Sequence, residues 1–175
     1  YDFQEKCVKE FNDNRYNIIL KSRQLGISTL SAGYALWTML FHADKNILVI
    51  ATGKDVAKNL VTKVRVMYTG LPSWLKVQVQ EDNKLSLIFK NGSQIKAVAS
   101  SADSSRSEAL SLLILDEAAF IEKVDEIWTS ERFPTSAWVT PYRRRPTSAR
   151  LPASYAKAPL GVRAYLDAND WEDDE

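Results

Sequence analysis

Short apolar runs that alternate with helical patterns constrain the fold of this chain more than any other feature. Three of these runs are candidates for buried strands, at residues 16–21, 45–52 and 111–120. Three stretches with helical periodicity precede or separate the runs, at residues 3–11, 28–43 and 54–71. Strands that alternate with helices predict βαβ units and a mostly parallel sheet, which is an α/β fold.

A β-hairpin is predicted between the second and third runs. Residues 84–90 and 93–100 have the composition of strands, and they flank the dipeptide Asn91-Gly92. This dipeptide is a strong signal for a two-residue hairpin turn. Residues 123–130 are predicted to begin a further helix.

The composition is that of one globular domain. The chain has 175 residues, 45% of them hydrophobic, and a formal net charge of +1. No run of about 18 apolar residues could span a membrane. One cysteine excludes an internal disulfide framework, and one cysteine with one histidine cannot build an ordinary structural zinc site. The small net charge means that any surface for nucleic acid would have to be local.

The sequence changes character near residue 130. Five of the six prolines and six of the ten arginines follow it, and the chain ends in the acidic run DANDWEDDE. No helical or strand period persists there. We therefore expect residues 1–130 to form a partial folded domain, and residues 131–175 to be disordered or out of frame.

The segment SRQLGIST, residues 22–29, has the position of a phosphate-binding loop between a strand and a helix. Such a loop holds phosphates through backbone N–H groups and through the dipole of the following helix. Gly26 supplies backbone freedom, and the hydroxyl of Ser28 stands where Mg²⁺ takes an oxygen ligand.

Ile27 occupies the position at which this loop usually has a lysine. The positive charge would then come from another residue. Lys21, at the first position of the loop pattern, and Arg23, within the loop, are both candidates because the loop wraps around its phosphates. The alternative is a strand-to-helix turn that contains a chance Gly-x-Ser sequence.

The segment LLILDE places Asp116 and Glu117 at the carboxyl end of an apolar strand. In P-loop nucleoside triphosphatases the first acid holds Mg²⁺, and an adjacent glutamate polarises the attacking water. The alternative is a solvated strand end. Because ligands of open α/β sheets bind at the carboxyl edge, the two motifs together predict a nucleotide site.

Two residues outside these motifs are further candidates. Gln4, after the aromatic Phe3, can bond the edge of adenine, although a first-turn glutamine is the simpler interpretation. Arg106 lies in a serine-rich loop before the third apolar run. It can act as an arginine finger toward a neighbouring subunit, or it is a solvated loop residue.

These residues together resemble the ATPase domain of the large terminase subunit of tailed bacteriophages, the motor that packages DNA into the procapsid. The similarity is greatest to the myovirus branch. It depends on SRQLGIST, LLILDEAAFI, Phe3-Gln4 and the hairpin segment KNGSQIKAVASSADSSRS, and it covers about residues 1–130. The resemblance implies a RecA-like P-loop NTPase of the additional-strand, catalytic-glutamate type, with a mostly parallel sheet and a β-hairpin insertion.

The resemblance also implies roles for individual residues. Gln4 reads adenine and Glu117 activates water, while Arg23 and Arg106 act as catalytic arginines. Mg²⁺ is bound by Ser28 and Asp116. The loop residues that hold ATP are Lys21, Ser22, Arg23, Gln24, Gly26, Ser28 and Thr29.

The partners implied by the family are double-stranded viral DNA, the portal protein, the small terminase subunit and further copies of the chain in a ring. The place of action implied is the host cell cytoplasm during phage assembly, with no membrane partner. Two rival functions stay open. One is another RecA-like or helicase-type ATPase, and the other is a non-catalytic nucleotide- or DNA-binding fragment.

Two departures from the family pattern lead to a further expectation. The family has a β-branched strand with a threonine-rich turn between the phosphate-loop strand and the Asp-Glu strand. Only Thr140-Pro141 resembles that turn, and the segment around it does not fit a strand. The family's nuclease domain is also absent from this sequence. We therefore expect a fragment with an incomplete sheet and a junction near residue 130.

Overall fold

Helices and strands alternate in the described part of the chain. The computed structural model describes residues 1–19, 25–99, 109–121, 136–140 and 162–164. The elements in chain order are α1 (Asp2–Asp13), β1 (Tyr16–Ile18), α2 (Ile27–Phe41), β2 (Asn46–Ala51), α3 (Lys54–Gly70), β3 (Val79–Asp82), β4 (Ser86–Phe89), β5 (Gln94–Ala99), β6 (Leu112–Asp116), β7 (Ser136–Thr140) and β8 (Val162–Ala164).

All of these strands join one sheet, in the order β3-β4-β5-β2-β6-β7-β1-β8. The strands from β5 to β8 in that order are parallel. The remaining neighbours, β3 with β4 and β4 with β5, are antiparallel. Because parallel strands end at a common edge, the carboxyl ends of β1 and β6 lie at the same edge of the sheet.

The central strands β2 and β6 are buried on both faces, which explains their unbroken apolar sequences. Successive side chains of a strand point to opposite faces. Val49 and Ile114 therefore pack on one face with buried residues of α2 and α3. Ile50 and Leu113 pack on the other face, together with Ile121. The chain thus has apolar core on both sides of the sheet.

Helix α3 buries an apolar stripe at the spacing of one helical face. The members of this stripe are Ala57, Leu60, Val61 and Val64. Residues at such spacing lie on one side of a helix, so the stripe fixes which side of α3 faces the sheet.

The predicted hairpin is present between β4 and β5. The N–H of Gly92 donates to the carbonyl of Phe89 at 3.1 Å, and the N–H of Phe89 donates to the carbonyl of Ser93 at 2.9 Å. The connection therefore contains Lys90, Asn91 and Gly92, one residue more than predicted. Gly92 adopts a left-handed φ of +82°, and a turn followed by a left-handed glycine adds this extra residue to the connection.

Strand β7 occupies the sheet position that the sequence analysis leaves empty. It pairs in parallel with β6 on one side and with β1 on the other. Strand β8 pairs with the outer side of β1. The prediction that the strand between β1 and β6 is missing is therefore wrong, and so is the prediction that no strand follows residue 130. The sequence of β7, SAWVT, is neither an unbroken apolar run nor a clear alternation, and β8 has only three residues. Neighbouring strands therefore decide their conformation.

The hypothesis of a junction near residue 130 depended on the missing strand, so the pairing of β7 removes its structural argument. The division of the chain near residue 130 itself stays a prediction. The helix predicted from residue 123 lies outside the described residues.

The strand order confirms the predicted RecA-like fold with an additional strand. That additional strand is β7, which lies between the phosphate-loop strand β1 and the Asp-Glu strand β6. None of the helices in the ranges given above is both long enough and apolar enough to cross a membrane.

Candidate functional site

The turn before α2 depends on a left-handed glycine. Gly26 is the residue that precedes the helix, and its φ is +73°. Its carbonyl accepts the backbone N–H groups of Thr29 and Leu30, each at 2.9 Å. Because residues with a Cβ rarely adopt this φ, the sequence requires glycine at this position to start the helix from the strand.

Gln4 ties the first helix to this turn. Its side-chain amide donates to the carbonyl of Leu25 at 3.2 Å. A Cβ added to Gly26 would lie 3.0 Å from the same amide nitrogen. The glycine is therefore needed for its backbone conformation, and an added Cβ would also make the amide of Gln4 shift slightly.

A groove of about 560 Å³ lies beside the turn, between α1 and α2. Gln4, Gly26 and Thr29 line it at one end, and Tyr34 and Trp37 line it further along α2. A groove with aromatic walls and a side-chain amide has the chemistry to accept a planar, polar-edged group.

Ser28 and Asp116, 88 positions apart in the sequence, are in direct contact. The Ser28 hydroxyl donates to the carboxylate oxygen Oδ2 of Asp116 at 3.0 Å. The other carboxylate oxygen, Oδ1, accepts the backbone N–H of Glu117 at 3.1 Å. The two predicted motifs therefore meet at one point, with a hydroxyl and a carboxylate facing each other.

This pair of oxygen atoms fits Mg²⁺. Magnesium prefers hard oxygen ligands, and in nucleotide sites it uses one or two protein oxygens together with phosphate and water. No group of three or more histidine, cysteine, aspartate or glutamate side chains that could hold a metal exists among the described residues. The Ser28–Asp116 pair is thus suited to a shared metal–phosphate complex and not to a metal site built by protein alone.

Glu117 has an unusual backbone conformation. It follows the end of β6 with φ of +54° and ψ of +41°, in the left-handed region that non-glycine residues seldom adopt. Such strain at the end of a central strand is typical of functional positions. A one-turn 3-10 helix, Ala118–Phe120, begins directly after Glu117.

Strand β7 ends beside this pair of acids. Its last residue, Thr140, is the register partner of Asp116 in the parallel ladder between β6 and β7. The Thr140-Pro141 step that resembles the family's threonine-rich turn therefore begins at the carboxyl edge of the sheet.

Ile27, at the usual lysine position, is 3% exposed. A different cation reaches the first turn of α2. The ammonium of Lys63, on α3, lies 3.4 Å from the hydroxyl of Thr29. Sequence reasoning did not find Lys63, because it lies in an ordinary amphipathic helix and belongs to no motif.

Several predicted site residues lie outside the described part of the chain, and their roles stay predictions. They are Lys21, Ser22, Arg23, Gln24 and Arg106.

We expect the variant Gly26→Ala to be less stable than the parent chain by about 1–2 kcal/mol, because alanine pays a steric cost in the left-handed region. The close contact with Gln4 adds to this cost. Urea unfolding measures the difference. The matched control is Gly70→Ala, at the end of α3, where an added Cβ meets no atom within 4 Å. Equal stability of the two variants would contradict the role given to the turn.

Three features define the class of this domain. They are a glycine turn between a strand and a helix, a strand that ends in aspartate two positions away in the sheet, and a hydrogen bond between these two motifs. This class is the P-loop NTPase domain of RecA-like architecture. The chain belongs to the terminase large subunit family, because residues 18–156 match the family described as terminase large subunit, T4likevirus-type, N-terminal.

Solved structures of large terminases share this fold. The large terminase of bacteriophage HK97 superposes with a TM-score of 0.66 at 19% identity, over 81% of this chain and 33% of that one. The ATPase domain of the large terminase of Thermus phage P74-26, in a mutant form, gives 0.61 at 21% identity, over 79% and 63%. The large terminase of a thermophilic bacteriophage in complex with ADP gives 0.58 at 17% identity, over 79% and 37%. The chain thus spans less than two thirds of these proteins.

Proposed function

We propose that this chain binds ATP with Mg²⁺ and hydrolyses it, as the motor domain of a large terminase that drives viral DNA into procapsids. The observation that carries the proposal is the 3.0 Å hydrogen bond between Ser28 and Asp116. It joins the phosphate-loop helix to the acidic strand at the ligand edge of the sheet. The similar thermophilic phage terminase was solved in complex with ADP, which supports nucleotide binding by this chain.

Different residues of the chain have different roles in hydrolysis. Backbone N–H groups of the loop and the first turn of α2 hold the phosphates. Ser28 and Asp116 would hold Mg²⁺, which supplies charge neutralisation for the phosphate oxygens when bound. Glu117 accepts the proton of the attacking water, and the bond from the γ-phosphorus to the bridging oxygen breaks as the water oxygen bonds to phosphorus. ADP and inorganic phosphate are the products.

Titration of the chain with ATP in a calorimeter tests the proposal directly. We expect binding that strengthens on addition of MgCl₂ and weakens on addition of a chelator, together with release of inorganic phosphate. Absence of ATP binding, or binding that is indifferent to Mg²⁺, would contradict the assignment.

We propose in addition that Gln4 recognises adenine from its place at the end of the groove between α1 and α2. The variant Gln4→Ala is then expected to lose about 3- to 10-fold in affinity for ATP, since a side-chain hydrogen bond contributes roughly 0.5–1.5 kcal/mol. GTP affinity should change little, and this comparison is the internal control. An equal loss for both nucleotides would mean that Gln4 acts only through its bond to Leu25.

The partners and place of action that we propose follow from the family. They are double-stranded viral DNA, the portal protein, the small terminase subunit, further copies in a ring, and the host cell cytoplasm during assembly. Arg106 would then act between ring subunits, and Lys21 and Arg23 would act within the loop. The family match favours a terminase over a helicase-type ATPase. A non-catalytic nucleotide-binding fragment stays the alternative that hydrolysis measurements decide.

A further inference from the structure

Helices α2 and α3 contact each other through two pairs of residues, spaced one helical turn apart on both helices. A Cβ added to Gly33 would lie 3.8 Å from the sulfur of Met67, which is an ordinary van der Waals distance, so Gly33 and Met67 mark a place where the two helices pack together. One helical turn earlier on both helices, the ammonium of Lys63 lies 3.4 Å from the hydroxyl of Thr29. Residues four apart lie on one helical face, so the packing at Gly33 also sets where Lys63 reaches α2.

The helix that would face the phosphates carries no charge of its own. The sequence of α2, ISTLSAGYALWTMLF, contains neither acidic nor basic residues. Its first residue, Ile27, is buried at the position where phosphate loops usually place lysine. A cation at the first turn of α2 must therefore come from another part of the chain, and Lys63 is such a cation.

Lys63 is suited to an anion on electrostatic grounds. Its side chain is exposed, and within the described part of the chain it forms no salt bridge. Its hydrogen-bond partner is neutral, so the ammonium charge is not compensated by that contact. Thr29 directly follows Ser28, whose hydroxyl meets Asp116. The uncompensated charge thus stands beside the turn that the phosphates would approach.

We propose that Lys63 is an additional cationic residue of the phosphate site, which binds the polyphosphate of the nucleotide from α3. This proposal rests on the proposed function. Lys63, a residue outside the loop, would then supply part of the positive charge that Ile27 does not supply. Phosphates attract an ammonium as a point charge, without the fixed geometry that arginine imposes.

The test compares Lys63→Met with the parent chain in titrations with ADP and with ATP. Methionine keeps the apolar stem and removes the charge. We expect the dissociation constants of both nucleotides to rise about 3- to 10-fold, between the range for exposed ion pairs and that for charge-assisted hydrogen bonds. The difference should shrink at high salt, because salt screens exposed charges. Lys63→Arg, which restores the charge, should recover most of the affinity.

The matched control is Lys84→Met, since Lys84 is an exposed lysine in the turn between β3 and β4. It changes the net charge equally and should leave nucleotide affinity unchanged. Affinity of Lys63→Met within twofold of the parent would overturn the proposal, and so would a loss that is independent of salt. If instead the parent chain itself bound neither nucleotide, the proposed function would fail and the inference would fail with it. A comparison with Ser28→Ala separates failure of the proposed function from failure of the inference. If the parent binds nucleotide and Ser28→Ala binds it more weakly, the proposed function stands, and an unchanged affinity of Lys63→Met overturns the inference alone.

Discussion

The variant Glu117→Gln is expected to bind ATP as the parent chain does and to hydrolyse it about 100- to 10,000-fold more slowly, the usual contribution of a general base. Glutamine has the length and shape of glutamate, and it retains a carbonyl oxygen that can orient water. It cannot accept the proton at neutral pH. The expected result is therefore a loss in the rate of phosphate release without a loss in nucleotide affinity.

The backbone of Glu117 makes this substitution a clean test. Its left-handed conformation costs about as much for glutamine as for glutamate, since both have the same branching at Cβ. Thermal unfolding should accordingly give equal melting temperatures for the two chains.

Single-turnover phosphate release measures the rate, and calorimetric titration measures the affinity. The control is Glu81→Gln, an exposed glutamate of β3, which should hydrolyse ATP at the rate of the parent. A Glu117→Gln chain that keeps the parent rate would remove Glu117 from the mechanism. If the parent chain bound ATP but released no phosphate, the non-catalytic alternative would be favoured.

The variant Asp116→Asn is expected to lose the Mg²⁺-dependent part of ATP affinity, a weakening of about 10- to 100-fold in the presence of the metal. Asparagine can still accept the hydrogen bond from Ser28, but it is a neutral and poorer ligand for a hard dication. Ser28→Ala removes the other proposed ligand and should act in the same direction.

When a chelator removes Mg²⁺, the loss of ATP affinity in Asp116→Asn should disappear or become a gain. The carboxylate of Asp116 then faces the negative charges of the triphosphate without a cation between them, and like charges repel. Asp116→Asn should consequently bind ATP without metal at least as well as the parent does. A purely structural role of Asp116 would instead weaken binding equally with and without Mg²⁺.

Asp82→Asn is the control for the loss of an acidic charge. Asp82 accepts a hydrogen bond from Nε of Arg65 at 2.7 Å on the surface. An exposed pair of this kind contributes only about 0–1 kcal/mol to stability. Its amide variant should keep the full Mg²⁺ dependence. An equal loss in both aspartate variants would attribute the effect to net charge and not to the site.

The predictable part of the fold consists of elements whose signal is local. The apolar runs of β2 and β6 are long enough to predict buried strands, and the stripe of α3 repeats at helical spacing. The phosphate-loop and Asp-Glu motifs could be predicted because each lies at the carboxyl end of its own strand. Strand β7 could not, because its five residues, SAWVT, show no clear period and lie in a segment rich in proline. Its conformation depends on β1 and β6, between which it pairs.

The sequence by itself determined the βα alternation, the glycine turn and the acidic strand end, since short-range backbone preferences and burial patterns encode them. The tertiary structure alone decided which of these residues touch. It brought the hydroxyl of Ser28 to 3.0 Å from Asp116, and Lys63 to 3.4 Å from Thr29. Those distances depend on strand order and on the packing of α2 against α3 at Gly33. Contacts between residues far apart in the chain follow from such packing, and no local pattern specifies them.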